Sequence, residues 1–123
     1  MTILQICAYA APYEGNFIKS LKALGNVYEK KGDKVVYAFP ESARNIPWCK
    51  ELEKHTDVYF LPLAKARIKI KTYTMLKDIY RKYKDLKIVH SHFELYDAPV
   101  ALTAPKGVKV FWHLHDAVEG YTG

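Results

Sequence analysis

TILQICAYAAPYEGNFIKSLKALGNVYEKKGDKVVYAF, residues 2–39, reads as strand, turn, helix, turn and second strand. Residues 3–9 form a continuous apolar run, ended by a turn that carries Pro12 and Gly15. Residues 17–31 follow a helical period, with Phe17, Leu21, Leu24 and Tyr28 on one face. Asn16 is placed to cap this helix and Gly32 to stop it. Asp33 then leads into residues 34–39, again apolar almost throughout. A strand that is apolar at consecutive positions has both faces covered, which marks a parallel sheet held between helical layers.

The unit recurs downstream. Asp57 leads into an apolar run at 58–62, Asp85 into one at 86–90, and Gly107 into one at 108–113. Ile70, Tyr73, Leu76, Tyr80 and Tyr83 mark a second long amphipathic helix, and residues 48–54 and 96–104 suit short helices. The expected fold is α/β: a Rossmann-like open parallel sheet of about five strands with helices on both faces, in a single domain. Right-handed crossovers make strands one, two and three step one way and send strands four and five to the other side of strand one. The switch point then falls between strands one and four. Ligands bind there, outside the ends of the strands where the chain leaves the sheet.

Two histidine doublets, His90-Ser91-His92 and His113-Leu114-His115-Asp116, lie at the downstream ends of the fourth and fifth runs. Four of the five histidines thus converge on the crevice onto which the turn at Glu14, Gly15 and Asn16 also opens. Within each doublet the two imidazoles point the same way, and the later one, nearer the strand end, is expected to be the more exposed. That singles out His92 and His115, with His90 and His113 read as buried polar side chains satisfied by backbone. Glu94 and Asp116 read as ligand-binding acids or as helix caps or first-turn acids favoured by a helix dipole, the latter reading weighing more for Glu94 than for Asp116.

The chain has 123 residues, half of them hydrophobic and a quarter charged, enough to bury roughly two thirds of its unfolded surface in one core. No uninterrupted apolar stretch approaches the ~20 residues a membrane-spanning helix needs. Residues 2–11 lack a preceding basic region and read as a strand, not a signal peptide, so a cytoplasmic location is expected. Cys7 and Cys49 show no metal-ligand spacing and read as reduced, structural residues.

The net charge of +6 is unevenly spread. Lys65, Arg67, Lys69, Lys71, Lys77, Arg81, Lys82 and Lys84 crowd into residues 65–84, opposed only by Asp78. Without a recognisable nucleic-acid motif, this stripe reads as a solvated helix face or as a docking face for an anionic membrane surface.

Residues 11–17 (APYEGNF), the long helix after them, and Lys31-Gly32-Asp33-Lys34-Val35-Val36 resemble the opening of a family-4 glycosyltransferase. Members of that family begin with a strand, a Pro-x-x-Gly-Gly turn, a helix and a Gly-His-x-Val-x-Val strand; here Glu14 and Asp33 replace one glycine and the histidine. Residues 88–93 (IVHSHF) and 111–116 (FWHLHD) are similar to that family's fourth and fifth strands. The resemblance spans nearly the whole chain, as the amino-terminal, acceptor-side half of a two-domain GT-B enzyme whose donor-binding domain would follow. It implies sugar transfer from a nucleotide-sugar donor to a polysaccharide or lipid-linked acceptor in cell-surface glycan synthesis, with no cofactor. It further implies that His115 faces the donor sugar as the catalytic residue, that Gly15 and Asn16 lie at the donor diphosphate, and that His92, Glu94 and Asp116 face the acceptor. Acceptors of this kind would suit an enzyme peripheral to the inner face of a membrane, docked through Lys65, Arg67, Lys69, Lys71, Arg81, Lys82 and Lys84.

Two other readings remain open. The doublets with Asp116 could ligate zinc or another transition ion, as in His-x-His hydrolases. A free-standing flavodoxin-like or nucleotide-binding module would instead hold a small anion at Gly15, with no second domain. The sequence ends about ten residues past the fifth run, so no closing helix is expected over that strand and its bare edge could pair with another copy.

Overall fold

The computed structural model describes residues 1–62, 69–93 and 96–113. Strand β1 (Thr2–Cys7), helix α1 (Gly15–Lys30) and strand β2 (Lys34–Pro40) are followed by a 3-10 turn at Glu41–Ala43. Helix α2 (Pro47–His55), strand β3 (Val58–Leu61), helix α3 (Lys69–Lys82), strand β4 (Leu86–His92), helix α4 (Asp97–Thr103) and strand β5 (Lys109–His113) complete the order. All pairings are parallel, in the spatial order β3-β2-β1-β4-β5. This is the α/β, Rossmann-like sheet expected from the apolar runs, with the switch point between β1 and β4.

The central strand shows why continuous apolar runs demand two helical layers. Leu4 and Ile6 of β1 pack with Val36, Val89, Leu76, Ile79 and Val100 beneath α3 and α4. Ile3 and Cys7 pack on the opposite face with Val35, Phe39, Ile18, Leu21, Trp48 and Leu52 beneath α1 and α2. Each such buried aliphatic or aromatic side chain contributes about 1.5–3 kcal/mol relative to exposure. No residue of β1 is left for solvent, so a polar substitution at any β1 core position meets a closed layer.

Local chemistry sets the element ends. Gly32 adopts a left-handed φ of 90°, which lets its N–H reach the Glu29 carbonyl (3.0 Å) and the Asp33 N–H reach that of Tyr28 (3.1 Å). The last carbonyls of α1 are thereby satisfied, as a glycine stop requires. Pro47 opens α2, where its missing N–H costs nothing.

Four details differ from the sequence reading. Asn16 does not cap α1: the helix starts at Gly15, and the Ile18 N–H closes its first turn on the Glu14 carbonyl at 3.2 Å. The cause is a hydrogen bond from the Tyr9 hydroxyl to the Tyr13 carbonyl (2.9 Å), which tightens the turn ahead of Asn16. β1 ends at Cys7, two residues early, where the chain turns toward the top of β4 and the Ala8 N–H meets the His92 carbonyl. β4 in turn runs through His92, because Cys7 and His113 flank that residue in the ladder. On α3, Ile70 stands 80% exposed, and the buried stripe passes through Thr72, Leu76, Ile79 and Tyr80.

Candidate functional site

The switch point brings the β1–α1 loop against the end of β4. Gly15 has φ +57°, a conformation that favours glycine, and a Cβ there would lie 3.3 Å from the Tyr9 hydroxyl. Tyr9 packs on Phe17 (ring centroids 5.1 Å), Trp48 (5.8 Å) and Phe93 (6.1 Å). The Trp48 indole N–H donates to the Ala11 carbonyl at 2.9 Å, anchoring the loop to α2. No side chain caps α1, and its first turn carries no acid. The Glu14 carboxylate is drawn to Lys22 at 2.6 Å instead. A helix start of this kind presents backbone N–H groups and a partial positive charge of about half a unit. Gly15 is half-buried and Asn16 exposed at this rim, with Tyr13 standing out into solvent beside them.

The first histidine doublet lies under the same aromatic cover. His92 is 4% exposed, and its Nε2 donates to Gln5 Oε1 at 2.7 Å, which places the ring proton on Nε2. Phe17 stands edge-on to the His92 ring (5.2 Å) and to Phe93 (4.8 Å), while the His90 ring lies 4.1 Å from that of His92. The expectation that the later histidine is the more exposed is therefore overturned for this pair: His90 is half-buried and His92 is enclosed. The reason is the longer β4, which keeps His92 inside the ladder beneath Phe17. Gly15 lies against Tyr9 and His92 against Phe17, and the Tyr9 and Phe17 rings pack on each other.

His113 is the ladder partner of His92, so β4 and β5 end together at the same end of the sheet. His115, Asp116 and Glu94, and the side chain of His113, lie outside the described residues. Among the described residues no group of three or more histidine, cysteine, aspartate or glutamate side chains is arranged to hold a metal ion.

Phe93 is the residue at this site that the sequence did not reveal. It leaves β4 with φ +63°, the left-handed region that a bulky residue rarely occupies, and its ring closes over Phe17. Backbone strain of this kind costs on the order of 1–3 kcal/mol and persists where the surroundings fix it. No turn residue announces it.

The two cysteines are buried and free. Burial pushes the Cys7 thiol well above its ordinary range and that of Cys49 up to about 11, so neither is a reactive thiolate at neutral pH.

The basic stripe separates into parts. Lys65, Arg67 and the side chain of Lys69 lie outside the described residues. Lys71, Lys77 and Lys84 are exposed, Arg81 pairs with Asp78 at 3.2 Å, and Lys82 lies over the Tyr59 and Tyr83 rings. Among the described residues no helix is long and apolar enough to cross a membrane.

The fold and this loop define an α/β domain with a glycine-led helix start at its switch point. No family model, curated protein or solved structure matches the chain.

Proposed function

We propose that this chain is the amino-terminal, acceptor-side lobe of a GT-B glycosyltransferase, moving a sugar from a nucleotide-sugar donor to a polysaccharide or lipid-linked acceptor in cell-surface glycan synthesis. One observation carries the reading: a left-handed glycine and an uncapped helix start at the switch point, beside the end of β4. Backbone without a Cβ lets a diphosphate approach closely, and the start of α1 favours its charge.

In this reading Gly15 and Asn16 hold the donor phosphates from this side of a cleft, and a second lobe holds the nucleotide. His115 is the catalytic imidazole facing the donor sugar, with Asp116 and Glu94 toward the acceptor. His92, being enclosed, serves by fixing Gln5 and Phe17 under the loop in place of touching the acceptor. Cleft closure would exclude water from the activated sugar. The exposed lysines of α3 would hold the enzyme at an anionic membrane surface, where such acceptors reside.

The test is transfer by the two-lobed enzyme, assayed with radiolabelled nucleotide sugars and membrane-derived acceptors. Label should pass to a glycan or lipid fraction, and His115→Ala should lower turnover by about a hundredfold or more with the thermal midpoint unchanged. Failure to consume any donor in a broad panel, or an unaffected His115→Ala enzyme, overturns the proposal.

A further inference from the structure

A recess of about 430 Å³ lies at the end of the strands opposite the switch point, where α3 ends and the α4–β5 loop passes. Its floor is apolar, formed by the rings of Tyr80 and Tyr83 with Leu86 and Val108. Its rim is cationic: Arg81, Lys84, Lys87 and Lys106 line it, and no carboxylate does.

The nearby acids are each paired, Asp78 with the rim's own Arg81, which leaves three rim cations without an acidic partner among the described residues. Asp78 takes Arg81 at 3.2 Å. Asp85 accepts from the Thr2 hydroxyl at 2.7 Å and faces the amino terminus at 3.9 Å. Asp57 is held by Lys34 and by the Tyr83 hydroxyl. The Tyr80 hydroxyl is bonded to that of Thr103 at 3.1 Å. Lys84, Lys87 and Lys106 form no ion pair among the described residues. The end of α3 adds a partial negative charge of about half a unit, too small to offset three unpaired cations. At Gly107, with φ +84°, a Cβ would meet nothing within 4 Å, so the loop leaves the rim open.

We infer that this recess is an anion site for a phosphate group carried on an apolar body, the phosphate meeting Lys84, Lys87 and Lys106 and the body lying on the tyrosine floor. The chemistry is shared by a soluble aryl or nucleoside phosphate and by an acidic phospholipid headgroup. The site stands apart from the switch point and does not depend on the sugar-transfer reading.

Phenyl phosphate titrated into the ¹⁵N-labelled chain probes the soluble source, and cosedimentation with vesicles of phosphatidic acid in phosphatidylcholine, against phosphatidylcholine alone, probes the lipid source. The amides of Leu86, Lys106 and Gly107 should shift saturably with phenyl phosphate, or the chain should sediment with the acidic vesicles only. Either result supports the site and names its source only where the Lys87→Glu with Lys106→Glu variant weakens it; vesicle binding that this variant leaves intact belongs to α3 and overturns the inference. Lys87→Glu with Lys106→Glu should weaken the positive arm by about tenfold, which is about 1.4 kcal/mol. Lys71→Glu with Lys77→Glu, on the same helix but away from the recess, should leave the phenyl phosphate shifts unchanged. All four positions are exposed, so circular dichroism should show the wild-type fold, and the paired Gln variants serve if a reversal perturbs it. Absence of response in both arms, or undiminished binding by the Lys87 and Lys106 variants, overturns the inference.

Discussion

The two ends of the sheet handle polar groups in opposite ways. At the β1–β4 switch point the histidine is enclosed: His92 is bonded to Gln5 beneath the Phe17 ring, and the Tyr9 hydroxyl holds the turn at the surface above it. At the other end polar groups are displayed, with Lys84, Lys87 and Lys106 around an open recess and a hydrogen-bonded chain from Tyr59 through Tyr83 to Asp57 beside it. Enclosed groups make geometry rigid, since an unpaired partner in a low-dielectric interior is costly. Displayed charges act at a distance and are screened by salt. The first arrangement suits a site that positions a ligand; the second suits one that attracts it.

The contrast can be broken most forcefully at Trp48, which ties the loop to α2 and is buried against Phe39 and Tyr9. Trp48→Ala should cost about 3–5 kcal/mol of stability by denaturant unfolding. Gln5→Leu should cost about 1–3 kcal/mol, because it removes the buried hydrogen bond between Gln5 and His92. Adding His92→Phe should restore most of that loss, and a double variant no better than Gln5→Leu alone would show that the pair is not the source. Gly15→Ala should cost about 1–2 kcal/mol, the expense of a left-handed φ for a residue with a Cβ.

The displayed end should respond to pH and only weakly. The Tyr83 hydroxyl and then Lys34 hold the Asp57 carboxyl below its ordinary range. A pKa depressed by folding adds stability above the unfolded carboxylate value, about 3.9, and that contribution fades as pH falls through and below it. Asp57→Asn should therefore lower stability slightly at about pH 7 and flatten the acid limb below about pH 4. Denaturant midpoints measured across that interval check the sign; an acid limb as steep as wild type would mean that other carboxylates carry it.

The architecture was legible because each strand of the sheet carries a largely apolar run of four or more residues, and connection handedness limits the order of five such runs separated by helices. The site was legible only as a location. His92 was misjudged for exposure because neither Gly nor Pro follows it to mark where β4 ends, and its burial depends on Phe17, 75 residues away in the chain. The left-handed Phe93 and the hydroxyl of Tyr9 on the Tyr13 carbonyl are consequences of tertiary packing with no local signal. Ile70 fits the helical period of α3, yet it precedes the part of that helix that reaches the sheet.

The central claim is that the start of α1 at the switch point receives a donor diphosphate. It is tested most directly by titrating a nucleoside diphosphate sugar into the ¹⁵N-labelled chain carrying Lys87→Glu and Lys106→Glu, which silences the opposite recess. The account predicts saturable shifts at the amides of Gly15 and Asn16, abolished by Gly15→Ala. Unmoved Gly15 and Asn16 amides at saturating ligand would contradict it.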